Sequence, residues 1–436
     1  MRNITGSPVE DDDFYDRYSD FVRFVREILN SSNLLLVAPR RVGKTSFVLR
    51  LCEVLANPDS DTVLAGQLEE ARMLASLKGL SIRTAFFNAE GCHDELDFAE
   101  RLVATLQLQA HLKAGLFEQA ESAFRRFREI IGIRKVNGPA GVDMELADSS
   151  DLNGVTLGRM LESILRGIET SEEPQTVVIA VDELPELLLA LVKEDKGGLR
   201  VERFLHWLRS MRQTYRKRVR WIFLGSIGLD TFVDQRGIRK TINDLTLMTL
   251  GAYSPEVADS FLCELSNSLG LPLSKDVRKA IIDKVGWPLP YHLQLLVNAL
   301  VALKSDQQAT NSGGVTGNEV TIEDVNAAVE HLLQPAGFGN FDTWRQRLEE
   351  QFDPASHSAA MTLLKFLCQH PAGRTRSDLL NELMKGPNPP DIDEAERRLS
   401  SLLVILCRDG YLLEQDGRYA FRSFLLREYW YRREIR

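Results

Sequence analysis

Three short runs of apolar residues in the first half of the chain predict buried β-strands. They are Leu34 to Val37, Val177 to Val181, and the apolar part of "RVRWIFLGSIGLD" between Arg218 and Asp230. Unbroken apolar runs of this length are typical of parallel strands that are covered on both faces. The first run is followed at once by apolar residues at helical spacing, including Phe47 and Leu51. The pattern therefore predicts an α/β sheet in which a loop joins the first strand to a helix.

Beyond about residue 251 the apolar positions recur at helical spacing instead. The segments "SPEVADSFLCELSNSLGL" and "SKDVRKAIIDKVGW" each open with a serine that predicts a helix N-cap, and Glu256 and Asp276 fall in the first turns. The polar, glycine-rich stretch from Lys304 to Thr321 predicts a flexible loop. A helix is then expected to restart at a Thr321 cap. The region is interpreted as a helical domain.

The last part of the chain, from about Ala355, alternates helical patterns with turns. Three helices are predicted, and Asp416-Gly417 then stands between the alternating runs Tyr411 to Leu413 and Tyr419 to Phe421. An Asp-Gly pair between such runs is a strong β-hairpin signal. Three helices followed by a hairpin predict a winged helix.

The charges of the winged helix bear on whether it reads DNA. Its third helix begins with the carboxylates Asp391, Asp393 and Glu394, whereas a helix that reads a DNA groove normally places basic or amide side chains there. We therefore favour a protein-contact or autoinhibitory role. The arginine- and aromatic-rich end, "FRSFLLREYWYRREIR", keeps DNA contact as the alternative, although we favour a terminal helix packed on the helical domain.

Length, composition and charge narrow the class of protein. The chain has 436 residues, of which 44% are hydrophobic and 26% charged, and this length predicts two or three domains. A formal net charge of -9 argues against wholesale coating of nucleic acid. The five cysteines are scattered, which predicts core thiols rather than a disulfide framework or a zinc site. The acidic N-terminus and the lack of a long apolar run predict a cytoplasmic protein without membrane contact.

The loop after the first apolar run carries the first candidate chemistry. It reads "APRRVGKTS" and matches the G-x-x-x-x-G-K-[ST] phosphate-loop pattern except that Ala38 replaces the first glycine. In such loops backbone N–H groups surround the phosphates, the lysine reaches the β- and γ-phosphates, and the hydroxyl contacts Mg²⁺. One extra methyl group is a small change, so we predict that the loop still binds; the alternative is a solvated basic turn. The predicted phosphate-binding residues are Ala38, Pro39, Arg40, Arg41, Val42, Gly43, Lys44, Thr45 and Ser46.

Polar residues also end the other two apolar runs. Because ligands of open α/β sheets bind outside the carboxyl ends of the strands, Asp182 and Glu183 are expected at the same crevice as the loop. Asp182 is placed to hold Mg²⁺ through a water, and Glu183 to orient or deprotonate the water that attacks the γ-phosphate. The alternative is a helix N-cap with a first-turn carboxylate. After the third run, Ser226 is a candidate γ-phosphate sensor, although Gly225-Ser226 alone is only a turn signal.

These motifs, in this order, resemble those of prokaryotic AAA+ and STAND-type P-loop ATPases, in the branch close to the archaeal ATPases and the origin-recognition initiators. The stretch from Asp12 to Phe21 is similar to the family's leader segment, and "PRRVGKTS" is similar to its version of the loop. "VDELPELL" looks like the Walker B stretch, and "IFLGSIGLD" looks like sensor 1 with Ser226 in place of the usual asparagine.

The resemblance extends to a lid. "KVGWPLPYHLQLL" is similar to the G-x-P motif of STAND lids, with Gly286 and Pro288 matching, so Pro288 is expected to pack near the nucleotide. Many AAA+ lids carry a sensor-2 arginine, but no arginine lies between Trp287 and Leu303. That role is therefore not assigned to any residue.

The fold class implied by the resemblance is an α/β P-loop NTPase with an AAA+-like parallel five-stranded sheet, a helical lid and a C-terminal winged helix. The nucleotide-binding core is expected in residues 1–250, with a helical insertion near 100–150. The lid is expected in 251–340, with a loop at 304–320, and the winged helix in 341–436.

The activity implied is a Mg-dependent ATPase, slow or stimulated by a partner, that acts as a nucleotide-gated switch and engages a protein partner or self-assembles. The expected catalytic residues are Glu183, Lys44 and Ser226, with Thr45 and Asp182 on the metal. Hydrolysis in such proteins often uses an arginine from a neighbouring subunit, and Arg236 and Arg239 are the candidates. One alternative is an ATP-dependent DNA-binding initiator or a transposition or replication regulator, and another is a scaffold that binds ATP and scarcely hydrolyses it.

Overall fold

An α/β sheet followed by helices is the architecture of the chain in the structure, which is a computed structural model. The structure describes residues 1–5, 7–9, 13–109, 153–172, 175–195, 198–225, 228–310, 319–385 and 391–435. Two units are distinguished. The sheet unit comprises Arg17–Val37 and Phe47–Thr249, and the helical unit comprises Met1–Asp16, Ala38–Ser46 and Leu250–Arg436. Most of the insertion expected near residues 100–150 lies outside the described residues.

The three apolar runs become strands of one parallel sheet, in the order β2-β3-β4-β1-β5. The strands are β1 (Asn33–Val37), β2 (Ile82–Asn88), β3 (Thr176–Asp182), β4 (Val219–Leu224) and β5 (Leu245–Thr249). Every residue of β3 and β4 is buried, which explains their unbroken apolar sequences. Val181 pairs with Phe223 and Leu36 pairs with Leu224, so β3, β4 and β1 end at the same edge. This is the AAA+-like five-stranded parallel sheet that the family resemblance implied.

Helices of the sheet unit bury their apolar faces against this sheet or against one another. They are α1 (Tyr18–Leu29), α2 (Lys44–Ala56, which begins in the helical unit), α3 (Thr62–Glu70), α4 (Leu74–Gly79), α5 (Glu95–Gln109), α6 (Asn153–Thr170), α7 (Leu184–Glu194), α8 (Leu199–Thr214) and α9 (Leu229–Gln235). Phe47 of α2 packs against Phe21 and Phe24 of α1, with ring centroids 4.7 and 4.8 Å apart. These contacts fix the second helix against the first.

Three serine and threonine caps start helices of the helical unit where the sequence predicted them. The hydroxyls of Ser254, Ser274 and Thr321 each accept a hydrogen bond from a backbone N–H of the first turn. Thr321 forms a complete capping box with Asp324. The helices of this region are α10 (Pro255–Ser268), α11 (Lys275–Val285), α12 (Pro290–Thr310), α13 (Ile322–Leu332) and α14 (Gly339–Gln351).

The predicted loop from Lys304 is wrong over its first residues, because α12 continues to Thr310. The Lys304 amine lies 2.6 Å from the Asp324 carboxylate, and Gln307 donates to the same side chain at 3.4 Å. One polar face of the helix is thus held by the cap of α13, which composition alone did not reveal. Residues 311–318 lie outside the described residues.

The C-terminal part forms the winged helix that the pattern predicted. Its elements are α15 (Pro354–Cys368), β6 (Arg374–Thr375), α16 (Arg376–Leu383), α17 (Ile392–Arg408), β7 (Leu412–Gln415), β8 (Arg418–Phe421) and the terminal α18 (Phe424–Glu434). The strands form a sheet in the order β6-β8-β7. Asp416 and Gly417 join the hairpin with φ of 52° and 71°, the positive values that a two-residue type I′ turn requires.

Membrane spans and cysteine pairing were two further points on which the sequence made predictions. Within the described ranges, no helix is both long enough and apolar enough to cross a bilayer. All five cysteines are free thiols, and Cys52, Cys92 and Cys368 are buried. The core-thiol prediction holds for these three.

Candidate functional site

The phosphate loop predicted from the sequence has left-handed backbone at two residues. Arg41 has φ 66° and Gly43 has φ 90°; glycine adopts this region freely, whereas a residue with a Cβ pays for it in strain. Lys44 is only 8% exposed, and its Nζ donates to the carbonyl oxygens of Ala38 and Pro39, both at 3.1 Å. The lysine amine therefore lies inside the curve of the loop.

The backbone of the loop shows why alanine fits where the general pattern has its first glycine. Within residues 38–46, positive φ occurs at Arg41 and Gly43 and not at Ala38. The group that Ala38 contributes is its carbonyl oxygen, which a side-chain methyl leaves in place. Gly43 is the position where a side chain would be strained.

The loop leads directly into the N-terminus of α2. Lys44, Thr45 and Ser46 occupy its first turn, where backbone N–H groups without intrahelical partners carry partial positive charge and attract anions. Val42, immediately before, is buried. The N–H of Val9 donates to the hydroxyl of Ser46 at 3.0 Å, so the N-terminal segment reaches this turn.

Two aromatic side chains of the helical unit, Trp287 and Tyr291, contact the loop. The sequence analysis did not predict them as site residues. The guanidinium carbon of Arg41 lies 4.3 Å from the centroid of the Tyr291 ring. An ideal Cβ built on Gly410 would lie 2.3 Å from the Trp287 ring and 3.4 Å from Pro39, so these three residues meet closely. The aromatic character of "GWPLPYH" was the available signal, but which residues it meets is a tertiary fact.

His292 follows Tyr291 and lies in the interior of the helical unit. It is completely buried, and neither ring nitrogen has a hydrogen-bond partner within the described residues. Burial, and secondarily the positive charge of Arg41, lower its pKa to about 4. The ring is therefore neutral at physiological pH and packs near Phe341 and Trp344 of α14.

The lid motif is held by backbone contacts. The Pro288 carbonyl accepts a hydrogen bond from the N–H of Tyr253 at 3.1 Å. Gly286 has φ 72°, and a Cβ there would lie 2.9 Å from the backbone nitrogen of Phe424 in α18. The glycine of the G-x-P motif is thus required by close approach of the terminal helix, while the expected packing of Pro288 near a nucleotide stays a prediction.

The two carboxylates end β3 inside the sheet unit. Asp182 is 2% exposed, and its Oδ1 accepts the N–H of Glu183 at 2.8 Å. Glu183 has φ 51° and precedes α7, but among the described residues its side chain makes no capping hydrogen bond to that helix. Glu183 therefore stands at the N-cap position of α7 without capping the helix through its side chain.

Gly225 follows β4 beside this turn. A Cβ on Gly225 would lie 2.6 Å from Cδ of Pro185 and 3.5 Å from Oε2 of Glu183. The glycine is needed because the start of α7 passes over the end of β4, so it marks a close approach and not only a turn. Ser226, the candidate sensor, lies outside the described residues.

The two candidate arginines are both exposed, but their guanidinium groups have different contacts. The Arg236 guanidinium stacks 4.0 Å from the ring of Phe232 and donates to its carbonyl oxygen, and burial lowers its pKa. Arg239 is 71% exposed and pairs with Asp234 at 2.7 Å. The Arg239 guanidinium is held by an exposed ion pair, which is easily exchanged for a contact with another molecule.

The donor set suits Mg²⁺ in kind. Carboxylate and hydroxyl oxygens are the ligands that this ion prefers, with waters completing its octahedron, and Asp182 and Thr45 supply one of each. No cluster of three or more His, Cys, Asp or Glu side chains able to hold a metal occurs in the part of the chain that the structure describes.

Two arginines of the winged helix pair with carboxylates. Arg376 lies 3.1 Å from Glu396, and Arg398 lies 2.6 Å from Glu394. In the terminal helix, Arg432 pairs with Glu330 of α13 at 2.8 Å, and the buried residues of that helix are Leu425, Leu426, Tyr429 and Trp430. The terminal helix packs on the lid, as favoured from the sequence.

A buried polar cluster lies where α17 turns into the hairpin. Arg347 and Asp409 are 2% and 4% exposed, with Nη2 and Oδ2 separated by 3.5 Å. The hydroxyl of Tyr411 donates to the Trp344 carbonyl at 2.6 Å. These contacts tie α14 to the residues on either side of Gly410.

Comparison with known structures identifies this fold. The Walker-type ATPase PABY2304 of Pyrococcus abyssi has 13% identity and a TM-score of 0.57, covering 99% of each chain. The Aeropyrum pernix ORC2 protein, in its ADPNP-ADP complexes, has 10% identity and a TM-score of 0.49, covering 96% of this chain and 95% of that one. Cdc6p from Pyrobaculum aerophilum has 12% identity and a TM-score of 0.40, covering 99% and 98%. No protein-family model and no curated protein matches the chain.

At these identities the likeness concerns the fold, and it rests on the first of the three. The chain has the fold of an AAA+ P-loop ATPase. More particularly, its fold is that of the archaeal Walker-type ATPase, which confirms at the level of fold the resemblance seen in the motifs.

Proposed function

We propose that the protein binds Mg-ATP and hydrolyses it to ADP and phosphate, and that it acts as a nucleotide-gated conformational switch. The observation that carries the proposal is the loop between β1 and α2. Its left-handed Gly43 and inward-held Lys44 precede a helix N-terminus, an arrangement that attracts phosphate groups. The fold shared with a Walker-type ATPase supports it.

The binding roles fall to the loop. Residues 38–46 contact the phosphates, Lys44 neutralises charge on the β- and γ-phosphates, and Pro288 closes over the nucleotide from the lid. Thr45 and Asp182 would hold Mg²⁺, which supplies charge neutralisation of the phosphate oxygens.

The catalytic roles fall to the ends of β3 and β4. Glu183 orients the attacking water or accepts its proton, because it follows Asp182 at the carboxyl end of β3. Ser226 contacts the γ-phosphate or that water. A serine at this place, instead of asparagine, suits slow or partner-stimulated turnover.

A protein partner or a second copy of the chain is the proposed target of the switch. Two winged-helix arginines, Arg376 and Arg398, pair with carboxylates, and α17 opens with Asp391, Asp393 and Glu394. Such a surface repels phosphates. The second candidate, a DNA-binding initiator or a transposition or replication regulator, is favoured by one observation, the winged-helix architecture itself.

Calorimetric titration with Mg-ATP and Mg-ADP, followed by turnover assays on the same samples, tests the proposal. Lys44→Ala is expected to abolish binding, whereas Lys275→Ala, an exposed lysine of α11, leaves it unchanged. Glu183→Gln should bind ATP and lose turnover. Binding by Lys44→Ala equal to that of wild type would refute the phosphate-loop assignment, and binding without any turnover would identify a scaffold.

Duplex DNA added to these assays separates the two kinds of partner. A protein-level switch is expected to show the same ATPase rate with and without duplex. Salt-dependent DNA binding that appears only with ATP would favour the initiator instead.

A further inference from the structure

We propose that Arg41 and Tyr291 are positioning residues through which the lid controls the phosphate loop, an inference that rests on the proposed nucleotide binding. The Arg41 guanidinium carbon lies 4.3 Å from the Tyr291 ring centroid, well within the distance of a cation–π contact. Both residues belong to the helical unit, Arg41 in the loop and Tyr291 as the second residue of α12.

The Tyr291 ring is a contact that holds the Arg41 side chain. Nε of Arg41 is buried and has no hydrogen-bond partner within the described residues, so this nitrogen does not anchor the group. Tyr291 is 9% exposed, and burial raises the pKa of its hydroxyl while the charge of Arg41 lowers it. A guanidinium over a partly desolvated ring is worth more than one in water.

The backbone of Arg41 has a conformation that this side-chain contact helps to maintain. Its φ of 66° lies in the left-handed region, which disfavours residues that carry a Cβ. Such a conformation persists when surrounding contacts over-determine it. Arg41 stands two residues before Gly43 and three before Lys44, so its relaxation to negative φ would redirect the N–H groups offered to phosphate.

The contact joins the loop to the lid through a cation–π interaction in which the arginine belongs to the loop and not to the lid. The lid has no arginine between Trp287 and Leu303, so the lid does not offer a cation to the nucleotide from that segment. Here the loop carries the cation, and the lid carries the aromatic ring that receives it.

The same lid segment is joined to the winged helix. The Trp287 ring lies under the Arg422 guanidinium at 4.8 Å, and it also meets Gly410, whose ideal Cβ would lie 3.4 Å from Pro39. A displacement of the winged helix would therefore move Trp287, and with it Tyr291 four residues on. Because binding linkage is reciprocal, a partner that shifts this lid changes nucleotide affinity, and nucleotide changes partner affinity.

The test measures Mg-ATP affinity by calorimetry in a set of matched variants. Tyr291→Leu, which removes the ring, and Arg41→Ala, which removes the cation, are expected to weaken binding roughly threefold to thirtyfold, the range of a cation–π contact. Tyr291→Phe keeps the ring and should bind like wild type. The double variant Arg41→Ala/Tyr291→Leu should be no weaker than the weaker single variant, because each change removes the same contact.

Arg41→Gly separates the backbone from the side chain. Glycine accepts positive φ but lacks the cation, so it should keep most of the affinity that Arg41→Ala loses if the stack acts by holding the loop backbone. Hydrogen exchange of residues 286–300 supplies a second readout. ATP should slow exchange there in wild type and in Tyr291→Phe, and should not do so in Tyr291→Leu.

Several outcomes overturn the inference. They are equal weakening by Tyr291→Phe and Tyr291→Leu, additive losses in the double variant, or ATP-induced protection that survives Tyr291→Leu. If wild type binds, Lys44→Ala does not, and the Arg41 and Tyr291 variants bind normally, only this inference fails. If wild type itself does not bind Mg-ATP, the proposed function fails and this inference falls with it.

Discussion

Gly410 offers a direct test of the junction between the lid and the winged helix. A Cβ at this position would lie 2.3 Å and 2.4 Å from two ring carbons of Trp287, whereas non-bonded carbon atoms prefer about 3.5–4.0 Å. The backbone φ of 89° adds a second penalty, since it is unfavourable for alanine. Gly410→Ala is therefore expected to strain both the backbone and the packing.

The size of the effect follows from the two penalties. Left-handed backbone costs a residue with a Cβ about 1–2 kcal/mol, and overpacking of a dense interior costs about 1–3 kcal/mol. We expect Gly410→Ala to lower the free energy of local unfolding by about 2–5 kcal/mol. The strain falls on Trp287, since the added methyl group would lie at an ordinary contact distance of 3.4 Å from Pro39.

Gly417 provides the matched control in the same domain. It has φ 71°, and nothing lies within 4 Å of its ideal Cβ, so Gly417→Ala should show only the backbone penalty of about 1–2 kcal/mol. Hydrogen exchange of peptides from α17 and the hairpin is the appropriate assay, because a chain with more than one unit need not unfold in one step.

A double variant decides whether Trp287 causes the extra cost. Trp287→Leu in the Gly410→Ala background makes room for the methyl group, so the two changes together should cost less than their sum. Equal losses in Gly410→Ala and Gly417→Ala, or strict additivity with Trp287→Leu, would show that the close approach is not a feature of the native protein.

Three further predictions concern buried charge and accessible charge. Burial, and secondarily nearby positive charge, lower the pKa of His292 to about 4 in the folded protein. Between that value and about pH 6.5 the unfolded chain binds more protons than the folded one, so the free energy of unfolding should decrease as the pH is lowered through this window. His292→Phe should remove this part of the pH dependence in thermal melts; an unchanged slope would contradict it. Asp409→Asn breaks a buried ion pair and should destabilise the protein by about 3–5 kcal/mol, whereas Asp416→Asn in the exposed turn should cost little in urea unfolding. Arg239→Ala should reduce any turnover that rises with protein concentration, and Arg236→Ala, whose guanidinium is folded onto its own helix, should reduce it less.

Local sequence was sufficient for the elements that depend on neighbours along the chain. The unbroken apolar runs became buried parallel strands, because a sheet covered on both faces tolerates no alternation. Ser254, Ser274 and Thr321 capped helices because their hydroxyls satisfy N–H groups of the next turn. The loop pattern likewise located Gly43 and Lys44, since its requirements of a positive φ and a helix N-terminus are local.

Tertiary structure alone decided which residues meet across long separations in the chain. The segment from Lys304 to Thr310 has the composition of a loop but is helical. The ion pair between Lys304 and Asp324 of the next helix stabilises it there. The sequence indicated a turn at Gly225 and a lid motif at Gly286. In the structure Gly225 is required because Pro185 approaches it closely, and Gly286 because Phe424 does. The pairing of Arg41 with Tyr291 has the same origin: a sequence shows a cation and a ring, and only the packing of the lid on the loop brings them within 4.3 Å.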